Sequence, residues 1–340
     1  MIREHRDKLD LIGIAGRSRW KELAQIADEF EVPEVALYDE DAWVEANREG
    51  NFPKGTKLRS GLQGLRDLVM QDGVDLVVAA LVGTAGLQPV LAALKNGTDV
   101  ALANKEILVM AGRFMIEAAD RSGARILPAD SEHNALFQCL DCGRREEIAR
   151  LILTASGGAF RDLPKTRLKT VKVADALKHP TWEMGAKVTV DSATMANKGL
   201  ELIEARWLFD MAPEQLDVTL HPESIVHSMA EFVDGSILAQ LSPPSMTFPL
   251  QHCLLFPERH VAVERSLDFS KALTLNFKPV DEKRYPCLRL AREALAEEKD
   301  AAVVFNAANE VAVQAFLDEQ VGFLDIPKII EKTLTKAKLT

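Results

Sequence analysis

The sequence predicts an α/β fold: a doubly wound parallel sheet first, then an α+β region with a mixed sheet, then a helical C-terminal region. Three observations predict it. From Leu9 to Asp141 short apolar runs alternate with amphipathic stretches, the pattern of strand–helix–strand units around a parallel sheet. Beyond Arg150 the character changes to strands separated by glycine- and proline-containing polar loops. From Tyr285 onward apolar residues recur at helical spacing.

In chain order, Leu11–Ala15 is a strand ending at Gly16-Arg17-Ser18, and Trp20–Phe30 is its helix. Val35–Tyr38 is a second strand and Gly61–Met70 a helix. Leu76–Leu81 is a buried strand ending in Val82-Gly83-Thr84-Ala85-Gly86, where the helix Leu87–Lys95 begins. Asp99–Leu102 is a strand closed by Ala103-Asn104-Lys105-Glu106 before the helix Ile107–Arg121. Open sheets of this kind take their ligands, dinucleotides above all, at the C-terminal ends of the strands. Gly83 and Gly86 suit a close backbone approach to a ligand, and ordinary turn chemistry explains two glycines as well. Arg17 and Ser18 stand where a ribose-binding acid is usual, which favours the 2′-phosphate of NADP; a surface arginine after a turn is the plain alternative.

Composition narrows the function. The 340 residues carry a net charge of −10, with 47% hydrophobic and 27% charged residues, which excludes a general nucleic-acid or anionic-membrane binder. An anionic small substrate would need local basic residues. Cys139 and Cys142 form one C-x-x-C, but no partner pair has zinc spacing, so reduced cytosolic thiols are expected. The start, MIREHRDKLDLIG, is too polar for a signal peptide, and no apolar run approaches ~20 residues. A cytoplasmic chain is expected.

The chemistry concentrates in Thr189–Phe209. Lys187–Val190 alternates like a short strand, Asp191, Ser192 and Thr194 form a loop, and Ala196–Phe209 is a helix with Leu200, Ile203, Trp207 and Leu208 on its buried side. Asn197, Lys198, Glu201 and Glu204 recur at three- and four-residue spacing on the opposite face. Alone, Lys198 and Glu201 are the i,i+3 ion pair of any solvated helix. A second polar stretch, Pro128-Ala-Asp-Ser-Glu-His-Asn134, follows the apolar run Ala124–Leu127, so Asp130, Ser131 and Glu132 sit at a strand's C-terminal edge. Asp130, Glu132 and Glu201 would supply three hard oxygen ligands of the kind Mg²⁺ or Mn²⁺ prefers.

Leu151–Ala155 is a strand whose turn, Ser156-Gly157-Gly158, offers amides and a hydroxyl to a phosphate. Lys178–Lys187 is an aperiodic loop carrying His179, Trp182 and Met184, either structural residues or a lid. Leu238–Leu241 pairs with Ile225–Met229 in a mixed sheet, Arg259–Pro279 is a linker, and Tyr285–Ala296 and Ala307–Phe316 are helices. Asn306, Asn309 and Glu310 are expected as helix caps or inter-domain bonds.

From about Gly13 to Phe323 the sequence resembles 1-deoxy-D-xylulose 5-phosphate reductoisomerase. The strings that carry the resemblance are LANKE at 102–106, DSEHNA at 130–135, ASGGAFR at 155–161, HPTWEMG at 179–185, VDSATMANKGLELIEARWLF at 190–209, HPESIVHSM at 221–229 and FNAANE at 305–310.

Position by position, the resemblance implies that Asp130, Glu132 and Glu201 bind Mg²⁺ or Mn²⁺. It implies that Ser156, His179, Ser192, Asn197 and Lys198 bind the phosphate and hydroxyls, with Lys105 and Ser131 as further substrate contacts beside Glu132 and Glu201. Gly16, Arg17, Ser18, Asn104, Glu106 and Gly185 match NADPH contacts. Lys105, Glu132, Trp182, Met184 and His227 form the implied catalytic set: Trp182 covers the substrate as the loop closes, Met184 lies near the nicotinamide, and His227 and Glu204 stand near substrate and metal. The implied reaction rearranges the ketose phosphate to a branched aldehyde phosphate, which NADPH reduces to 2-C-methyl-D-erythritol 4-phosphate.

The implied organisation is a Rossmann-like NADPH domain at 1–129, an α+β catalytic domain with a mixed sheet at 130–257, a linker at 258–282 and a C-terminal helical domain at 283–340, in a homodimer. One departure stands out. Family members begin with a strand and a G-x-T-G-S-I-G loop that this chain lacks, and the last family helices are missing too, so a truncated chain is expected. Its parallel sheet should lack a central strand, and its first third should fold poorly or bind NADPH weakly. Two rivals follow: a truncated, non-catalytic module that binds metal and sugar phosphate, and a metal-dependent lyase without nicotinamide. Arg17, Asn104 and Met184 favour the reductase over both.

Overall fold

The computed structural model describes residues 1–50, 52–297 and 300–339. They group into two compact units: Met1–Ile107 with Arg113–Ala129 and Leu250–Val263, and Leu108–Gly112 with Asp130–Pro249 and Glu264–Thr340.

The first unit alternates as expected: β1 (Gly13–Gly16), α1 (Trp20–Phe30), β2 (Glu34–Leu37), α2 (Glu40–Glu49), β3 (Lys57–Ser60), α3 (Gly61–Val69), β4 (Leu76–Ala79), α4 (Leu87–Lys95), β5 (Asp99–Leu102), α5 (Glu106–Ser122) and β6 (Ile126–Pro128). All its strand pairs are parallel, in two three-stranded sheets ordered β1-β2-β3 and β4-β5-β6. The central strands carry the core. Val35, Ala36 and Leu37 of β2 and Val100, Ala101 and Leu102 of β5 have no exposed surface, because a parallel strand is covered on both faces. The edge strands are wetter: every residue of β1 is half-buried, and Val78 of β4 is 45% exposed.

Two elements of this unit escaped the sequence pattern. α2 has few apolar residues, and its start is set by the Asp39 side chain, which accepts the Ala42 N–H at 3.0 Å. Its end is set by Gly50 in the left-handed region. β3, Lys-Leu-Arg-Ser, offers one apolar side chain and is recognised only by its ladder with β2.

The second unit holds α6 (Ser131–Leu140), β7 (Ile148–Ala155), α7 (Val173–Ala176), α8 (Ala186–Thr194), α9 (Ala196–Leu208), β8 (Leu216–Leu220), β9 (Val226–Phe232), β10 (Ile237–Leu241), α10 (Thr247–Leu255, mostly grouped with the first unit), β11 (Lys278–Pro279), α11 (Pro286–Glu297), α12 (Ala301–Leu317) and α13 (Asp325–Lys336). Its five strands form one mixed sheet ordered β10-β9-β7-β8-β11, with β7 parallel to β8 and the other pairs antiparallel. Leu151 and Leu153 of the sheet, Val190 of α8, Leu200 of α9, Phe305 of α12 and Ile326 of α13 share one core, so the C-terminal helices belong to this unit.

Three local expectations change. Lys187–Val190 is not a strand, and Asp191, Ser192 and Thr194 are not a loop: all lie in α8. The β-branched run Val188-Thr189-Val190 mimics a strand, but packing against α9, α11 and α12 decides in favour of a helix. The polar face of α9 is not solvated: Lys198, Glu201 and Glu204 are buried with Leu200 and Ile203, while Trp207 and Leu208 are half-buried. α12 begins six residues earlier than expected, so Asn306, Asn309 and Glu310 sit inside it rather than at a cap. None of the four cysteines forms a disulfide. Among the described residues no helix is long and apolar enough to cross a membrane.

Candidate metal and phosphate site

Two helix beginnings and one helix face build the site in the second unit. Asp130 caps α6, its side chain accepting the Glu132 N–H at 3.3 Å. That fixes Ser131 and Glu132 on the first turn, where Ser131 Oγ donates to Glu132 Oε2 at 2.5 Å. Met195, with φ +63, ends α8 and turns the chain into α9, which presents Asn197, Lys198 and Glu201 within its first two turns. Carboxylate oxygens of Asp130, Glu132 and Glu201 all lie within 4.8 Å of one another.

One ammonium group stitches the two helices. Lys198 Nζ donates to Glu132 Oε1 at 2.7 Å and, over a very short contact, to Glu201 Oε2. Asn197 Nδ2 donates to the other oxygen, Glu201 Oε1. Burial and the neighbouring Glu201 carboxylate push the Glu132 carboxyl up to about 7, although Lys198 pulls the other way. Burial works against the charge of Lys198, but Glu132 and Glu201 outweigh it and hold the ammonium protonated above its ordinary range. Three carboxylates against one lysine leave unbalanced negative charge in a buried place. A hard divalent cation fits that donor set.

Beneath the trio, His133 bridges the same helices. Its Nε2 lies 2.9 Å from the Glu201 carbonyl oxygen and its Nδ1 3.3 Å from Glu204 Oε2. Burial opposes the imidazolium, but the Glu204 and Asp130 carboxylates raise it to about 9. The sequence contains His133 inside DSEHNA, yet nothing in its spacing separates it from an ordinary helix residue.

Of the phosphate-binding candidates, Ser156 and His179 meet between a turn and a loop, Ser192 lies on α8, and Asn197 and Lys198 lie on α9 against the carboxylates. Gly157 and Gly158 both have positive φ, and a Cβ on Gly158 would stand 2.6 Å from the Ala193 backbone and the Ser192 carbonyl carbon. Only glycine lets this turn close onto α8 at Ser192 and Ala193, where the Ser192 hydroxyl donates to the Val188 carbonyl at 3.0 Å. Ser156 Oγ accepts the Gly158 N–H at 3.2 Å and lies 3.0 Å from His179 Nε2. His179 Nδ1 accepts the N–H groups of Thr181 and Trp182 at 3.2 and 2.9 Å, so Nε2 carries the proton and donates to Ser156. Burial, and then the charge of Arg161, hold this imidazole below its ordinary value. Trp182 stands edge-on to His227, ring centres 6.2 Å apart. The buried His227 is likewise held low by burial, its Nε2 3.3 Å from the Ser242 carbonyl oxygen. Met184 is half-buried and Gly185 is the exposed N-cap of α8.

The remaining candidates lie in the first unit. Arg17 and Ser18 are exposed just past β1, directly after Gly16. Asn104, buried after β5, donates from Nδ2 to the Leu81 carbonyl and, at 2.9 Å, to the Gly83 carbonyl. This clasps the segments that follow β4 and β5 at the C-terminal edge of their sheet, where a dinucleotide lies in open α/β folds. Lys105 is buried and Glu106 half-buried beside it.

Known proteins share this framework. Sequence profiles of the 1-deoxy-D-xylulose 5-phosphate reductoisomerase family match residues 1–112, and profiles of its C-terminal domains match 126–209 and 241–340. The 1-deoxy-D-xylulose 5-phosphate reductoisomerase of Prosthecochloris aestuarii is 47% identical over 98% of this chain and 87% of its own length. That of Trichlorobacter lovleyi is 45% identical over 98% of this chain and 85% of its own. The chain belongs to the 1-deoxy-D-xylulose 5-phosphate reductoisomerase family.

Two solved reductoisomerases agree in fold. A crystal structure in complex with NADPH, fosmidomycin and magnesium superposes with a TM-score of 0.93 at 41% identity, covering 98% of this chain and 85% of that one. The Zymomonas mobilis reductoisomerase in complex with NADPH gives 0.92 at 42%, covering 99% and 87%. The doubly wound α/β fold read from the sequence is therefore the reductoisomerase fold.

Proposed function

We infer that this chain is an NADPH- and divalent-metal-dependent reductoisomerase converting 1-deoxy-D-xylulose 5-phosphate to 2-C-methyl-D-erythritol 4-phosphate, the isoprenoid-pathway reaction of its family. The observation that carries this reading is the trio of half-buried Asp130 and Glu132 and buried Glu201, tied to Lys198, in a chain 47% identical to a named reductoisomerase over nearly its whole length. Asp130, Glu132 and Glu201 would hold Mg²⁺ or Mn²⁺, and Gly16, Arg17, Ser18, Asn104, Glu106 and Gly185 would hold NADPH. When bound, the ion supplies a Lewis acid and the dinucleotide a hydride.

The chain's own side chains do the rest. Lys198, kept charged by two carboxylates, and the neutral donors of Asn197, Ser192 and Ser156 form a set suited to a phosphate dianion or sugar hydroxyls. His179 adds an N–H at Nε2, already aimed at Ser156 Oγ. Lys105 and Ser131 are assigned to the substrate. Trp182, held against His227, and Met184 sit on the loop that excludes water as it closes. Glu132, with its carboxyl near neutrality, is assigned to both metal and substrate.

A homodimer in the cytoplasm is proposed with this activity. The test is loss of NADPH absorbance with 1-deoxy-D-xylulose 5-phosphate and Mn²⁺ or Mg²⁺, alongside an Asp130→Asn, Glu201→Gln double variant. Turnover in the parent chain and none in the variant is expected. Metal and phosphate binding without turnover in the parent would instead support a non-catalytic binding module.

A further inference from the structure

Asp191 has 1% of its surface exposed and takes no part in the assignments above. Its two carboxylate oxygens are held from two directions. Asn309, fully buried on α12, donates from Nδ2 to Oδ1 at 2.9 Å. Lys187, one turn earlier on α8, reaches Oδ2 at 2.9 Å with 22% of its side chain exposed. Lys187 stands two residues past Gly185, so this ion pair closes the downstream end of the loop that carries His179, Trp182 and Met184. The upstream end of that loop is held by His179 against Ser156.

Buried charged pairs contribute little net stability, and a well-packed apolar pair would often do as well or better. Their best-attested use is to fix one arrangement among several. α8 needs such fixing. The N-cap of its neighbour α9 is Met195, a non-glycine residue at positive φ, and Ser192 and Ala193 of α8 abut Gly158. A small rotation of α8 about its axis would shift Ser192 and Ala193 against Gly158 and move the loop's root. The FNAANE string at 305–310 contributes the outer hold through Asn309.

We propose that Asp191 is a positioning residue for the sugar-phosphate pocket: clamped by Asn309 and Lys187, it sets the rotation of α8, and with it Ser192 and the loop of residues 178–185. The proposal rests on the reductoisomerase reading for its substrate, but its core is phosphate binding, which is measurable without turnover.

The test uses the full chain with Asn309→Leu, Lys187→Met and Asp191→Asn, singly and combined. For each, inorganic phosphate affinity is measured by calorimetry, Mn²⁺ affinity by electron paramagnetic resonance, and KM and kcat by NADPH oxidation. Asn309→Leu and Lys187→Met are each expected to weaken phosphate binding and raise KM about tenfold, with kcat changed less than about threefold. Mn²⁺ affinity should stay within about twofold, and in the Asp191→Asn background neither change should add to the loss. Lys187 is partly exposed, so Lys187→Met tests the point even if Asn309→Leu does not fold. Unchanged phosphate affinity in Lys187→Met would overturn the proposal, as would parallel losses in phosphate, Mn²⁺ and melting temperature. Phosphate binding without turnover in the parent would remove the enzyme reading and leave this proposal testable; no phosphate binding at all would remove both.

Discussion

His133 Nδ1 lies 3.3 Å from Glu204 Oε2, and neither side chain has any exposed surface. The pair joins α6 to α9, the helices that carry the three carboxylates of the trio or its cap, and His133 Nε2 reaches the Glu201 carbonyl from the same ring. An imidazolium held up to about 9 by Glu204 and Asp130 is the charge that makes burial of Glu204 tolerable.

Removing His133 therefore takes a neighbouring cation away from a fully buried carboxylate. His133→Leu is expected to cost about 3 to 5 kcal/mol of unfolding free energy, and His133→Leu with Glu204→Leu clearly less than the single change. Urea denaturation of the metal-free chain measures both. A double variant that loses as much as the sum of its singles would show that the two side chains do not act as a pair.

The pH response of the loop follows from His179. Its imidazole is held below the ordinary 6.5 by burial and by Arg161, so the unfolded or opened form takes up a proton before the closed one. The loop's contribution is present above 6.5 and is lost as pH falls through the lowered value. Protonation would also place a donor at Nδ1 against the N–H groups of Thr181 and Trp182. Proteolytic cutting within residues 178–187 should accelerate on acidification below 6.5, and nitrogen NMR should find the proton on Nε2 at neutral pH. A midpoint above the ordinary histidine value in the ligand-free chain would contradict this.

Much of this architecture was legible because burial follows period. Trp20–Phe30, Leu87–Lys95 and Asp99–Leu102 have the same limits in sequence and structure, since their apolar spacing matches the faces they bury. Polar elements were not legible: β3 has one apolar residue, and α2 depends on Asp39 and Gly50 at its ends. α8 was misread because three consecutive β-branched or strand-favouring residues outweigh, locally, a helical pattern that packing against helices such as α9, α11 and α12 enforces. For the site, the residue types and direction were legible. The burial of Lys198, Glu201 and Glu204 was not, because it depends on partners such as Glu132, sixty-six positions away, which no local window contains.

Gly158 and Gly185 should respond very differently to the same substitution. Gly158 has φ +68 and no room for a Cβ, the nearest atoms being α8 backbone at 2.6 Å. Gly158→Ala is expected to destabilise by roughly 2 to 4 kcal/mol, combining left-handed strain with overpacking. Gly185 has φ −59 and nothing within 4 Å of an added Cβ, so Gly185→Ala should change stability by less than about 0.5 kcal/mol. Any effect of Gly185→Ala on NADPH affinity would then not come from lost stability. Thermal melts of both variants decide it, and equal melting temperatures would refute the close approach at Gly158.

Glu201→Gln should separate stability from metal binding, because the two depend on its charge with opposite sign. Without metal, Glu201 crowds Glu132 and, after burial, is the main cause of its carboxyl rising to about 7. Neutralising Glu201 relieves that repulsion while Lys198 keeps Glu132 at 2.7 Å, so the metal-free variant should melt no lower than the parent near neutral pH. With metal the order reverses. A cation bound only to the folded parent stabilises it by about 2.7 kcal/mol at a hundredfold excess over Kd, and the variant, with one hard ligand gone, should gain far less. Melting curves with and without Mn²⁺ contain both halves of the prediction. A variant that melts lower without metal and gains as much as the parent from Mn²⁺ would mean that Glu201 serves the packing of α9 rather than the ion.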